Sequence, residues 1–356
     1  MAEKLTEKVT VDSIAELGRK ATLDTDSTHE PAAAGSVAHD RRVRVLALWQ
    51  SAGPVVVFVA LFAMVAALRP AFLLGGGLGI LAVQATSILL VALGQAMVLH
   101  VGSIDLSNAA MAILSAILLA KLLGTLGPIA LVVCIGIVTL VGAVNGLFVA
   151  YTQVPSFALT LGTLGVLQAA SLVVSDATTV YVTANGEILA PLFGTALVLL
   201  PMAFWVAAAL AAALFVLLRF TRIGQAMTAV GLNETGALFS GLRTRWLKVF
   251  AFALSGALAG VAGIMIIAQA GAASSFGLGS DLLIPGIAAA LIGGTAITGG
   301  VTNPLNVIFG SLTIALIPIA SAAVGVTPQA QSLVYGLVII LAVALTMTRA
   351  RTAVVK

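Results

Sequence analysis

Apolar runs about 20 residues long alternate with short polar joints along most of this chain. A helix of about 20 apolar residues crosses the hydrocarbon core of a bilayer. Ten such runs occur, at roughly 47–68, 78–100, 107–123, 127–150, 156–175, 195–218, 247–269, 283–299, 304–323 and 329–348. The pattern predicts an all-α, polytopic integral membrane protein with about ten transmembrane helices. The joints around Asp105 and Gly299–Pro304 are short, so the span boundaries there are soft. One polar stretch is longer than the rest: Thr221–Gly241, TRIGQAMTAVGLNETGALFSG, with the basic run Leu242–Lys248 behind it. It carries helical signal. Asn233 suits a helix N-cap, and Glu234 sits where a carboxylate offsets the positive end of the helix dipole. Ala237, Leu238 and Gly241 follow, giving a greasy side and a polar side. A short amphipathic helix at the membrane surface needs a partner to cover its apolar side.

Charge placement orients the spans. Arg41, Arg42 and Arg44 precede the first run, and Arg219, Arg222, Arg243, Arg245 and Lys248 surround the polar loop. By the positive-inside rule both lie in the cytoplasm. Ten spans then return the C-terminus to the cytoplasm, where Arg349, Arg351 and Lys356 agree, and the 176–194 loop lies outside. The outside loops carry Arg69, Lys121, Asp176, Glu187 and Asp281, with no basic excess. Residues 1–45 hold eight of the 13 acids and seven of the 17 bases. They read as a cytoplasmic, largely disordered tail with a short helix over Val11–Lys20. Residues 46–348 read as the transmembrane domain, with a cytoplasmic loop at 221–246, and 349–356 as a cytoplasmic tail. No cleaved leader is expected, because the first apolar run starts near Leu46 behind that charged tail. Hydrophobic residues make up 60% of the chain and charged ones 8%, with a mean hydropathy of +1.16. Soluble domains, with about 25% charged residues, are thereby excluded. The single Cys134 rules out a disulfide within the chain and reads as a small buried hydrophobe.

Four stretches are candidates for chemistry. In His100–Asn108, HVGSIDLSN, Asp105 interrupts an apolar region; at membrane depth it must face protein or a water-filled path. Asp105 or Ser107 suits a cap of the next span, and the same residues with Asn108 suit the wall of a substrate path. His100 reads as a satisfied packing residue. In Val154–Gln168, Thr160, Thr163 and Gln168 fall near one helical face. They can bond a polyol or hold helices together. Ser255, Gly256, Ala259, Gly260 and Gly263 make a small-residue face for close helix packing. Leu291–Pro304 joins two apolar runs through four glycines, a break that must be buried or line a cavity. There is no phosphate loop, metal cluster or nucleophile triad, so catalytic and metal sites are expected to be absent and any energy source must come from elsewhere.

These stretches resemble the permease subunits of bacterial ABC importers of the ribose/xylose type. Gly102–Ser107 is similar to that family's G-G-I-D-L-S. Pro155–Phe157 with Thr160–Thr163 is similar to P-S-F-x-x-T-L-G-T. Ala229–Glu234 through Ala237 and Ser240–Gly241 is similar to A-I-G-x-N-x-x-A-A-x-x-S-G, and Ile292–Thr295 with Gly299–Gly300 to I-G-G-T-x-x-x-G-G. The four motifs follow the family's order across residues 50–348. Ser103, Gln225, Gly236, Asn108-Ala109 and Val301–Pro304 depart from its usual residues, which leaves the substrate open and would suit one half of a heterodimer.

The resemblance implies a transport subunit without enzymatic chemistry of its own, in the bacterial inner membrane with both termini cytoplasmic. It implies a homo- or heterodimeric permease, a periplasmic binding protein that delivers a monosaccharide or polyol, and a separate ATP-binding subunit. ATP and Mg would belong to that partner, with no cofactor in this chain. The Thr221–Gly241 loop would hold the coupling helix, with Gly231, Asn233, Glu234 and Gly241 as ATPase-coupling residues. Asp105, Ser107, Asn108, Thr160, Thr163 and Gln168 would line the substrate path. The alternatives are an ion-gradient-driven transporter of a small polar solute, which would need more buried ionisable residues than Asp105 and His100, and an integral membrane transferase, which would need a cluster of acids or bases at a membrane face.

Overall fold

The computed structural model describes residues 52–325, apart from 75, 153 and 277–279, together with scattered positions between 327 and 340. The expectations for both tails, including the Val11–Lys20 helix, lie outside the described residues, as does most of the 329–348 span.

The chain is built from helices: α1 (Ala52–Leu68), a single turn α2 (Ala71–Leu74), α3 (Gly77–His100), α4 (Asn108–Leu126), α5 (Ile129–Thr152) and α6 (Ser156–Ser175). Strand β1 (Val180–Tyr181), helix α7 (Ala190–Gly194) and the hairpin β2 (Ala196–Leu197)–β3 (Leu200–Pro201) follow. Next come α8 (Met202–Phe220), α9 (Arg222–Leu232), α10 (Glu234–Phe239) and α11 (Thr244–Ala270). Strand β4 (Ala272–Ala273), which pairs antiparallel with β1, precedes α12 (Leu283–Ile292) and α13 (Pro304–Ala323).

Among the described residues, seven helices are long and apolar enough to cross a membrane: α3, α4, α5, α6, α8, α11 and α13. Helices α1 and α12 are apolar but shorter. The polytopic helical architecture therefore stands, with seven full-length spans among the described residues; the start of the 47–68 run and most of the 329–348 run lie outside them. Two predicted spans shrink for local reasons. The 195–218 run begins as the β2–β3 hairpin, and its helix starts only after Pro201, whose fixed φ suits a helix entry. The 283–299 run ends at Ile292, because Gly294, Gly299 and Gly300 all take positive φ and carry the chain through tight turns.

Helices α3 and α11 form the centre, buried over most of their length, and α11 also lies against α4 and α5. Leu89, Leu90, Leu93 and Met97 of α3 are wholly enclosed. Lipid tails are as apolar as leucine, so close packing rather than water exclusion holds such helices together. The small-residue face of α11 provides it. A Cβ on Gly256 would collide with the Val138 carbonyl of α5, and one on Gly260 would lie 2.8 Å from the Ile135 Cα. On α5, Gly142 and Gly146 sit as tightly against Phe252 and Val249.

The connections sort to two ends. At one end Arg69 Nη2 donates to the Ala322 carbonyl (2.7 Å), Lys121 pairs with Asp176 (3.2 Å) and Asn185 Nδ2 donates to the Leu123 carbonyl (2.9 Å). At the other end, the last turn of α3 meets α9 and the glycine turn after α12. That end carries Arg219, Arg222, Arg243, Arg245 and Lys248 against the single acid Glu234 among the described residues.

Gly256→Leu is expected to lower the stability of the detergent-solubilised protein by at least about 1–3 kcal/mol through overpacking, read as a lower thermal unfolding temperature. Gly136→Ala, where nothing lies within 4 Å of the added carbon, should leave that temperature unchanged or slightly raised.

Candidate functional site

The break between α3 and α4 is held by bonds from three other helices. The Ile104 N–H donates to Ser156 Oγ (2.9 Å) and the Leu106 N–H to Thr160 Oγ1 (3.0 Å), both at the start of α6. These contacts replace the backbone partners that a continuous helix would supply.

Asp105 lies at the centre and is fully buried. Its Oδ1 accepts from the Ser107 N–H (2.9 Å) and the Ser107 hydroxyl (2.6 Å), and its Oδ2 accepts from the Ser255 hydroxyl of α11 (2.9 Å). Asn145 Nδ2 of α5 donates to Ser107 Oγ (3.0 Å), and Asn108 Nδ2 donates to Ser255 Oγ (2.6 Å). Thr163 Oγ1 donates to Asn145 Oδ1 (2.8 Å). Two amides, each acting as donor, thus fill the lone pairs of two serines, which leaves both serine protons for the carboxylate. The network joins the 101–107 break, α4, α5, α6 and α11 around one carboxylate.

Five of the six expected path residues, Asp105, Ser107, Asn108, Thr160 and Thr163, therefore belong to one set of bonds around the break. Four of them are at most 1% exposed. The geometry is that of a pin between helices: in this conformation these groups spend their bonds on one another. Gln168 stands apart. It lines a small cavity of about 80 Å³ between α4 and α6, with Ser171 and Ser275. Asn145 and Ser255 are the two partners that no motif flagged as polar. The signal for Asn145 was its place as the lone amide in the 127–150 run; Ser255 was submerged in a small-residue face.

The expected coupling residues lie on or beside α9 and α10. Asn233 Oδ1 caps α10 by accepting from the Gly236 N–H (2.9 Å), as its residue type predicts. Glu234, in the first turn, pairs with Lys248 of α11 at 2.7 Å. Gly241 takes φ +81 just past the helix, and the Leu242 N–H returns to the Ala237 carbonyl (3.1 Å), closing the C-terminal turn. Gly231, at the end of α9, is pressed against the His100 carbonyl and Gly300 so closely that no Cβ fits. The same carbonyl accepts from the Gly300 N–H (2.9 Å). His100 Nε2 lies 3.0 Å from Thr228 Oγ1, whose own proton goes to the Gly224 carbonyl (3.0 Å), so the imidazole is the donor. Ala237 turns inward and is buried, whereas Leu238 and Phe239 point out, Phe239 at 86% exposed. The expected greasy side is thus carried by Leu238 and Phe239, not by Ala237 and Gly241.

Residues 77–343 match the family model of the branched-chain amino acid transport system / permease component. The chain is similar to the D-allose transport system permease protein of Escherichia coli, 31% identical over 302 residues that cover 83% of this chain and 91% of that one. It is also similar to the ribose import permease protein of Haemophilus influenzae, 28% identical over 293 residues covering 81% and 90%. The L-arabinose ABC transporter permease protein of Azospirillum brasilense is 29% identical over 306 residues covering 83% and 88%. No solved structure matches.

Asp105→Ala strands the Ser107 and Ser255 hydroxyl protons in a buried site, and is expected to cost about 1–3 kcal/mol of stability. Ser255→Ala removes one donor and should cost less. Thermal unfolding in detergent tests both. Equal unfolding temperatures for wild type and Asp105→Ala would contradict the pin geometry.

Proposed function

The chain belongs to the branched-chain amino acid transport system / permease component family, and from that membership we propose that it is the translocating subunit of an ATP-binding-cassette importer for a monosaccharide or related polyol. The named relatives that cover most of its length carry ribose, allose and arabinose in their names, which favours a sugar over the amino acids of the family's description. The same relatives weigh against the ion-driven alternative.

The observation that carries the reading is the outward apolar pair of α10. Leu238 and Phe239 are 58% and 86% exposed on a helix capped by Asn233 and tied to α11 by Glu234. Exposed aromatic and aliphatic side chains on a fixed polar-rimmed helix fit a protein partner. The partner is the ATP-binding subunit, which holds ATP and Mg. Gly231, Asn233, Glu234 and Gly241 then act by shaping and anchoring α10, while the contact itself falls on Leu238 and Phe239. The basic end lies in the cytoplasm by the positive-inside rule, so the Lys121–Asp176 end faces a periplasmic binding protein. Two permease subunits enclose the path. The pinned break at Asp105, Ser107, Asn108, Thr160 and Thr163 fixes one part of its wall, and Gln168 adds a free amide nearer the outer end. Hydrolysis in the partner moves α10, and α10 moves the bundle.

Phe239→Asp and Leu238→Asp are each expected to cut recovery of the ATP-binding subunit with the purified permease by about tenfold or more, at an unchanged unfolding temperature. Glu234→Lys should weaken recovery by a smaller factor, because it sets two cations side by side at the α10–α11 joint. Undiminished recovery for Phe239→Asp would overturn the proposed docking face.

A further inference from the structure

At the end of the bundle opposite α10, the first turns of α3, the β2–β3 hairpin and the last turn of α11 line an open cavity of about 370 Å³. Its volume lies at the low end of the range for small-molecule pockets. Gln84 of α3 and Gln269 of α11 are its polar side chains, Phe193 adds an aromatic ring, and among the described lining residues none is charged. Neither glutamine has a hydrogen-bond partner among the described residues. Gln84 sits two turns inside an otherwise apolar helix and is half-buried at the cavity wall.

Two further features keep the space open and shaped. Gly76 and Gly79 line the α3 wall. A Cβ on Gly79 would already reach within 3.8 Å of the Leu199 carbonyl across the gap, so a longer side chain there would enter the cavity. The hairpin tip takes positive φ at Val198 (50°) and Leu199 (67°), a left-handed turn that favours glycine or asparagine. The turn leaves Leu199 largely exposed at the rim of the cavity.

We infer that this cavity is a binding site for a neutral polyhydroxylated solute, a monosaccharide received at the outer end before it enters the path. Each free amide offers two donors and an acceptor, which match hydroxyl groups, and the Phe193 ring offers an apolar face to the C–H side of a sugar. A zwitterionic amino acid would bring a carboxylate and an ammonium into a wall with no counter-charge, at a large desolvation cost. The inference rests on the sugar-importer reading and deepens it: it names where in this chain the solute first binds and which groups hold it.

The test uses the complete importer, with its ATP-binding subunit and binding protein, in proteoliposomes. Ala196, which is exposed and lines the cavity, is replaced in the Ala196→Cys variant, and its maleimide labelling from the outer side is timed. The native Cys134 is buried and gives a low background. Millimolar D-ribose, D-allose and L-arabinose are compared with L-leucine. A bound sugar slows labelling by about tenfold at ten times its dissociation constant, while L-leucine leaves it unchanged. Adding Gln84→Leu or Gln269→Leu should weaken that protection by about three- to tenfold each. Protection by L-leucine alone, or sugar protection that survives both leucine substitutions, overturns the assignment. If the importer accumulates one of these sugars but none protects Ala196→Cys, the cavity assignment falls and the transport reading stands. If it accumulates none of them, the sugar reading falls and the cavity assignment with it.

Discussion

A bilayer offers no water to satisfy polar groups, and the break before α4 and the glycine turn after α12 answer to that constraint. The 101–107 break exposes backbone N–H groups, and Ser156 and Thr160 accept from two of them. The break also brings in a carboxylate with no cation beside it, which would be untenable alone. Ser107 and Ser255 satisfy it, and Asn145 and Asn108 satisfy them in turn. The glycine turn after α12 follows the same logic: its Gly300 N–H finds the free carbonyl at the end of α3. Irregular backbone occurs here in pairs, each piece completing the bonds of another.

The same constraint explains the choice of small residues. With no hydrophobic force to draw helices together in lipid, stability depends on how closely two backbones approach. Helices α5 and α11 meet through glycines on both sides, Gly142 and Gly146 against Phe252 and Val249, Gly256 and Gly260 against Val138 and Ile135. Against α4 the close approach is made by Gly263, packed on Ala112 and Ser115, and Ser255 of the same helix lies beside Asp105 and Asn108. Close packing and polar satisfaction are therefore not separate contributions in this bundle, since the glycine seam sets the distance that the hydrogen bonds need.

Much of the fold was legible in the sequence because a span is a local pattern. Runs of about 20 apolar residues mark helices whatever surrounds them, and Asn233 announced its cap through residue type alone. What was not legible depends on contacts between distant positions. Nothing near Ser255 in the chain marks it as a partner of Asp105, 150 residues away. The hairpin at 196–201 lay hidden inside an apolar run, because hydropathy does not distinguish a strand pair from a helix turn over so few residues. At the candidate site, the residue types around Asp105 were read correctly as polar and buried, but whether they face a solute or one another is decided by helix placement. The cavity lined by Gln84 and Gln269 was missed for the same reason: each is a single amide in an apolar run, and only the fold brings them to one wall.

Helix α11 is a single uninterrupted rod of 27 residues, about 40 Å long at 1.5 Å per residue. Its glycine seam with α5 lies near its midpoint. Near one end Lys248 holds the surface helix α10, and near the other Gln269 borders the cavity at the first turns of α3. Mechanically this is a lever with its fulcrum in the middle. If the rod tilted about the seam, its two ends would move in opposite senses, and α10 and the cavity would be displaced together. Under such a tilt, whatever filled the cavity and resisted it would be felt at α10 with the same free energy.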